Sequence, residues 1–220
     1  MQIKKFWKLY PKSKNIKLIS SFRIKINSKV KKKLMRFGKE YFDGNRIHGY
    51  GGYHYNKKFF RKITNEIIKH YKLSNKSKIL DIGCAKGFMM YEFRRFLPNA
   101  EIWGVDISKY CKIKALKSEK KFIKIGSCDK LPFKDNYFDF VISNNTIHNL
   151  DEKKIFQSIK EIERVKKGKS FIRVKGYKNI KEKNLIDSWN LVAKSNLSIK
   201  GWKLLFKKSK YTGDFDFSKF

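Results

Sequence analysis

The chain has 220 residues, with 54 Lys and Arg against 19 Asp and Glu and a formal net charge of +35, yet 41% of it is hydrophobic and 15% aromatic. That is enough apolar chain for one folded core, which excludes a disordered polycation, and no run approaches the roughly 20 apolar residues that span a bilayer. Three cysteines (Cys84, Cys111, Cys128) without metal-ligand spacing argue against a disulfide framework and place the chain in a reducing cytoplasm.

The charge is mostly Lys and is spread along the whole chain. Dedicated phosphate readers concentrate Arg forks, so the charge reads as compositional drift rather than a nucleic-acid site. The basic N-terminus lacks the apolar stretch of roughly 7–15 residues that a secretory signal needs.

In chain order, Phe6, Trp7, Leu9 and Tyr10 form an aromatic patch ended by Pro11, and residues 30–37 have the pattern of a short amphipathic helix. These residues either pack over a sheet edge or act as a substrate lid. The stretch 41–55 is rich in Gly and Tyr, with Tyr50-Gly51-Gly52-Tyr53 at its centre. Such a segment is no core element: Gly permits unusual backbone angles, and Tyr offers a flat face plus a hydroxyl. In residues 55–73, Phe59, Phe60, Ile63, Ile67, Ile68 and Tyr71 recur at helical spacing, which predicts an amphipathic helix facing a sheet.

Residues 78–82 read as a buried parallel strand, residues 83–87 as a tight glycine turn, and the apolar spacing from Phe88 to Leu97 as a helix stopped by Pro98. Residues 101–106 are a second strand ending in Asp106, about 20 residues past the turn, the distance at which Rossmann-like sites place a ribose-binding acid. Ser108 caps the next helix. Residues 121–125 are a third strand, leading into Gly126-Ser127-Cys128-Asp129-Lys130-Leu131-Pro132-Phe133. Residues 136–143 read as a turn and a fourth strand, and Asn144-Asn145-Thr146-Ile147-His148-Asn149 leaves its C-terminal end, where open α/β sheets bind ligands. Asp151 caps a helix closed by Gly168, and residues 170–175 are a fifth strand. Residues 185–197 are helix, strand or both. Ser198 caps a helix over Trp202, Leu205 and Phe206, and residues 211–217 alternate as a last strand. The result is an α/β domain with a nucleoside-like pocket at 83–87, Asp106 and Asp129.

The turn reads D-x-G-x-A-x-G, which resembles the first motif of the class I S-adenosylmethionine (SAM) methyltransferases with Ala85 at the middle glycine. Asp106, the G-x-x-x-x-L-P-F loop and the F-D-x-V strand follow in that superfamily's order, and the resemblance covers residues 41–150. The run Y-F-D-G…Y-G-G-Y-x-Y is similar to a group of small, mostly uncharacterised bacterial methyltransferases.

The resemblance implies a Rossmann-like fold with a mostly parallel sheet and helices on both faces, its last strand antiparallel beside the fifth. It divides the chain into a cap or lid, 1–54, and a SAM-dependent domain, 55–220. It implies SAM as cofactor, held by Asp81, Gly83, Cys84, Ala85, Gly87, Asp106, Ile107, Cys128, Asp129 and Asn144. Tyr50, Gly51, Gly52 and Tyr53, with Asn145 and Asn149, are lid or acceptor residues. His148 is the candidate base, ahead of His48 and His54, the alternative being a hydrogen-bonded structural histidine. The N/D-P-P-Y/F motif of exocyclic-amine and glutamine methyltransferases is absent and no metal triad is evident. The expected acceptor is an O or N atom of a small molecule or glycan precursor. The alternatives are RNA methylation and non-catalytic SAM binding.

Overall fold

A computed structural model describes residues 1–7 and 15–218, so Leu9, Tyr10 and Pro11 of the aromatic patch lie outside the described residues. The strands are β1 (Lys78–Ile82), β2 (Glu101–Asp106), β3 (Ile123–Ile125), β4 (Phe138–Asn144), β5 (Lys166–Lys175) and β6 (Asp214–Ser218). They form one sheet in the order β3-β2-β1-β4-β5-β6, and every neighbouring pair is parallel. The order reverses between β1 and β4, which opens the crevice where doubly wound sheets bind their ligands.

Alternation along the strands feeds two cores. Ile79, Ile102, Phe140, Ile142 and Phe171 face α4 (Lys57–Tyr71) and α5 (Phe88–Phe96), packing on Ile63, Ile67 and Phe93. Leu80, Ile82, Val141, Ile172 and Val174 face α7 (Glu152–Val165) and α9 (Ile199–Lys208), packing on Ile159, Ile162, Trp202 and Phe206. Each such fully buried side chain contributes about 1.5–3 kcal/mol, which is why the apolar runs outweigh the surrounding lysines. The helices start where capping chemistry allows: Asn56, Asp151 and Ser198 accept from the N–H groups of Phe59, Lys154 and Gly201.

Several details differ from the sequence reading, among them that β5 begins at Lys166 and β6 at Asp214. β6 is parallel to β5, not antiparallel. The connection runs through α8 (Ile180–Trp189) and α9, and a helical crossover returns the chain in the same direction. Gly168 does not close α7, which runs straight into β5. A Cβ there would lie 2.4 Å from the Asp139 carbonyl oxygen, so this glycine serves the close approach of β4 and β5. The third strand begins only at Ile123, because Lys120–Phe122 forms a 3-10 turn.

The N-terminal segment splits in two. Residues 2–4 pair with β6, and Trp7 stacks on Phe171 at 5.7 Å, which covers the sheet edge. Then α1 (Ile16–Ile24), α2 (Ser28–Leu34), α3 (Lys39–Asp43) and the loop after them lead over the C-terminal ends of β1 and β2 towards α4.

Candidate functional site

A cavity of about 350 Å³ sits at those strand ends. One half is built from local sequence. β1 delivers Asp81 and Ile82, then the chain turns through Gly83 (φ 76°), Ala85 (φ 48°) and Gly87 (φ 76°). The turn is close-packed as well as left-handed, because a Cβ at Gly83 would lie 2.0 Å from Thr146 Oγ1. Ala85 is the costly member, since a side chain disfavours φ > 0. Its N–H donates to Asp106 Oδ2 at 2.8 Å, and the Ser108 N–H donates to Oδ1 at 2.8 Å. Asp106 therefore clamps the turn and at once holds the backbone of Ser108, whose hydroxyl in turn caps the next helix. Gly126, Ser127 and Cys128 complete this side.

Burial raises both acids. Burial, with Asp106 beside it, pushes the Asp81 carboxyl up to about 7. Burial also raises Asp106, against the lowering effect of its two backbone hydrogen bonds.

The other half is assembled from distant segments. Phe37, Phe42, Tyr50, Tyr53, Phe59 and Phe60 give it an aromatic wall. Tyr50 stacks on Phe42 at 5.6 Å and Tyr53 on Phe88 at 5.0 Å. Backbone bonds from Tyr50 N–H to the Tyr41 carbonyl and from Gly52 N–H to the Phe42 carbonyl fold residues 50–53 back on α3. On the far wall stand Asn144, Asn145, Thr146 and Asn149, with Lys154, Val192 and Lys194 beyond. The amide oxygens of Asn144, Asn145 and Asn149 are buried without a hydrogen-bond partner. Buried polar atoms are nearly always paired, so these acceptors suit the N–H or O–H donors of a ligand.

Of the residues expected at the site, Asp81, Gly83, Cys84, Ala85, Asp106, Ile107, Cys128, Asn144, Tyr50, Tyr53, Asn145 and Asn149 line the cavity. Gly87, Asp129, Gly51, Gly52 and His148 are not among its lining residues. Gly87 turns the chain into α5, and Asp129 accepts from Ser127 Oγ and lies 3.7 Å from Lys154 Nζ. Gly51 and Gly52 take φ of 67° and 104° behind the tyrosines. The His148 ring is buried, and burial together with Lys175 and Arg173 lowers it to about 3. His48 pairs with Glu40 at 2.5 Å, and His54 packs against Gly52.

The sequence reading missed Phe37, Phe42, Val192 and Lys194 as cavity residues, and missed Lys86 and Asp43 altogether. Asp43 lies inside the singled-out Y-F-D-G run and Lys86 inside the turn motif, so both were signalled by position. Val192 and Lys194 follow α8 and carry no local signal.

A parallel sheet with a left-handed glycine turn after β1, an acid closing β2 and a crevice beside β4 defines a Rossmann-like domain. Residues 80–173 match the family described as "Methyltransferase domain". Among curated relatives, the chain is 31% identical over 118 residues to an uncharacterised methyltransferase of Schizosaccharomyces pombe, covering 48% of this chain and 41% of that protein. It is 33% identical over 87 residues to a malonyl-[acyl-carrier protein] O-methyltransferase of Legionella pneumophila, covering 38% and 30%. The chain thus spans well under half the length of these relatives. Among solved structures, the YcgJ protein of Bacillus subtilis superposes with a TM-score of 0.57 at 21% identity, over 66% of each chain. A protein of Pyrococcus horikoshii superposes with a TM-score of 0.53 at 21% identity, over 80% of this chain and 88% of that one. These likenesses show the fold. Among the described residues no helix is long and apolar enough to cross a membrane.

Proposed function

We propose that this chain is a SAM-dependent methyltransferase acting on an O or N atom of a small molecule or glycan precursor, with residues 1–54 as its cap and lid. The observation that carries the reading is the junction of a left-handed glycine turn and two buried acids with an aromatic-walled cavity. The residues fit the cofactor. Gly83, Cys84 and Ala85 line the cavity with the turn, Asp81 offers a carboxyl to a cationic group, and Asp106 and Cys128 would hold the nucleoside end. When bound, SAM supplies a methyl group activated by its sulfonium.

The protein's task is then to hold the acceptor in line, and orientation alone can supply about 7–11 kcal/mol. Tyr50, Tyr53 and the unpaired amide oxygens of Asn144, Asn145 and Asn149 surround the space where an acceptor bearing N–H or O–H groups would rest. His148 is a structural group in this reading: it is buried outside the cavity wall and neutral near pH 7. A cavity of about 350 Å³ favours a small acceptor over RNA. The curated relatives include enzymes named for acyl-carrier-protein and release-factor substrates, so relatedness alone does not select an acceptor.

The test is S-adenosylhomocysteine (SAH) release across a panel of hydroxyl and amine acceptors, together with amide exchange on adding SAH. Exchange in residues 49–55 should slow, and Tyr53→Ala should cut turnover by tenfold or more, on the order of what a misplaced positioning group costs. Calorimetry showing no binding of SAM or SAH would end the reading.

A further inference from the structure

We propose that Asp43 and Lys86 form a latch that ties closure of the aromatic lid to the cofactor half of the cavity, so that lid and cofactor settle together. The inference rests on the cofactor reading above and gives the Y-F-D-G run a role. Lys86 occupies the position before the last glycine of the turn, and its residue is only 6% exposed. Its ammonium donates to Asp43 Oδ1 at 2.8 Å, Asp43 Oδ2 at 2.7 Å and the Tyr53 carbonyl at 2.8 Å. One lysine of the glycine turn thus holds both ends of the lid, the last residue of α3 and the last cavity-lining tyrosine.

Asp43 is the matching hub. Besides Lys86 it accepts from the Tyr53 N–H at 2.9 Å and from the Tyr110 hydroxyl at 2.6 Å. Tyr110 belongs to α6 (Lys109–Ile113), the helix that Ser108 caps after Asp106. Ser108 in turn donates its hydroxyl to the Phe37 carbonyl at 2.5 Å. The lid is therefore gripped from both cofactor loops: from the turn by Lys86, and from the region after β2 by Tyr110 and Ser108. Gly44 lets the chain leave Asp43 sharply, since a Cβ there would lie 2.4 Å from the Glu40 carbonyl oxygen.

Burial raises the Asp43 carboxyl, but the hydrogen bonds from Lys86, Tyr110 and the Tyr53 N–H outweigh it and hold the group near 2. The Asp43 carboxyl is therefore ionised throughout the neutral range. Raising the lid would remove the acceptors of a nearly buried ammonium, and an uncompensated buried charge is strongly unfavourable. The lid is stable only while the turn presents Lys86 as seen, and that turn is a left-handed backbone held by Asp106. A ligand that stabilises the turn stabilises the lid, and reciprocity makes the closed lid strengthen that ligand. The outer edge is pinned differently: Arg23 donates to the carbonyls of Arg46, Ile47 and Gly49.

Asp43→Asn and Lys86→Met test the latch through SAH affinity and amide exchange. Each should weaken SAH by about 5–150-fold, the usual span of coupling between sites. Exchange in residues 41–53 should no longer respond to SAH. SAH affinity within about twofold of the parent, with only a lower melting temperature, would leave the pair a structural contact and overturn the proposal. Should the charge variants fail to fold, Tyr110→Phe removes one neutral donor and is judged by the same two readouts. A parent chain that does not bind SAH removes the cofactor reading; a parent that binds while its variants bind equally removes the latch alone.

Discussion

The two halves of the cavity are built on opposite plans. The turn half comes almost entirely from strand ends and the loops directly after them, so its geometry is set by the sheet. The lid half borrows Phe37 and Phe42 from before α4, Asn149 from after β4 and Val192 from after α8. Its shape depends on side-chain hydrogen bonds and stacked rings between segments far apart in the chain. The contrast teaches that cofactor affinity should respond most to backbone geometry, and to the lid only through the Asp43–Lys86 contact, whereas acceptor handling should respond to the many contacts that local unfolding can release.

The sharpest way to break this contrast is Gly83→Val. The backbone there needs φ of 76°, and the Cβ would lie 2.0 Å from Thr146 Oγ1. A β-branched residue in a left-handed position is strained besides. SAM and SAH binding should fall below detection in calorimetry. Retained affinity would show that the turn does not bind the cofactor.

What could be read in advance follows the same division. Residues 78–90 were legible because strand, turn and helix are consecutive, so period, glycine spacing and stop signal all lie in one window. Asp106 was legible for the same reason. The Asp43–Lys86 contact joins residues whose pairing no periodicity encodes. The direction of β6 was misread because alternation marks a strand but carries no sign of its orientation, which the α8–α9 crossover sets. Gly168 was misread because a glycine that ends a helix and one that admits a neighbouring carbonyl look alike in sequence.

A smaller effect, and a quantitative one, concerns Asp81. Its carboxyl stands at about 7 in the folded chain against an ordinary 3.8. The folded state therefore binds a proton more tightly than the unfolded state between those values. By linkage, the stabilising contribution of this group is present below about pH 4 and is lost as pH rises to 7. Asp43, held near 2, acts only below that window and with the opposite sign. If a cationic group of the cofactor meets the Asp81 carboxylate, binding displaces the proton, and affinity should rise about tenfold per pH unit up to 7, then level off. Asp81→Asn should flatten both trends and raise the melting temperature of the ligand-free chain at pH 7. Parallel affinity curves for parent and variant between pH 5 and 8 would separate Asp81 from the cofactor.

The smallest expected effect belongs to His148, the imidazole that its place after β4 marks as a base. A general base has to reach the acceptor's proton and carry a pKa near the working pH. His148 meets neither condition. Its ring is buried outside the lining of the cavity, and burial with the neighbouring Lys175 and Arg173 holds it at about 3. Its protonation does not change between pH 5 and 9, so it gives no limb to a pH–rate profile in that range. His148→Gln, similar in size and still able to hydrogen-bond, should keep turnover within a few-fold of the parent, far from the loss of about 10²–10⁴-fold that removal of a working base produces. The 3-10 turn Ile147–Asn149 carries Asn149 on the cavity wall, so a modest rise in acceptor KM is the trace expected from disturbing it. A collapse of kcat with KM and melting temperature unchanged would instead put the imidazole in the reaction and require the strand exit to rearrange when both substrates are bound.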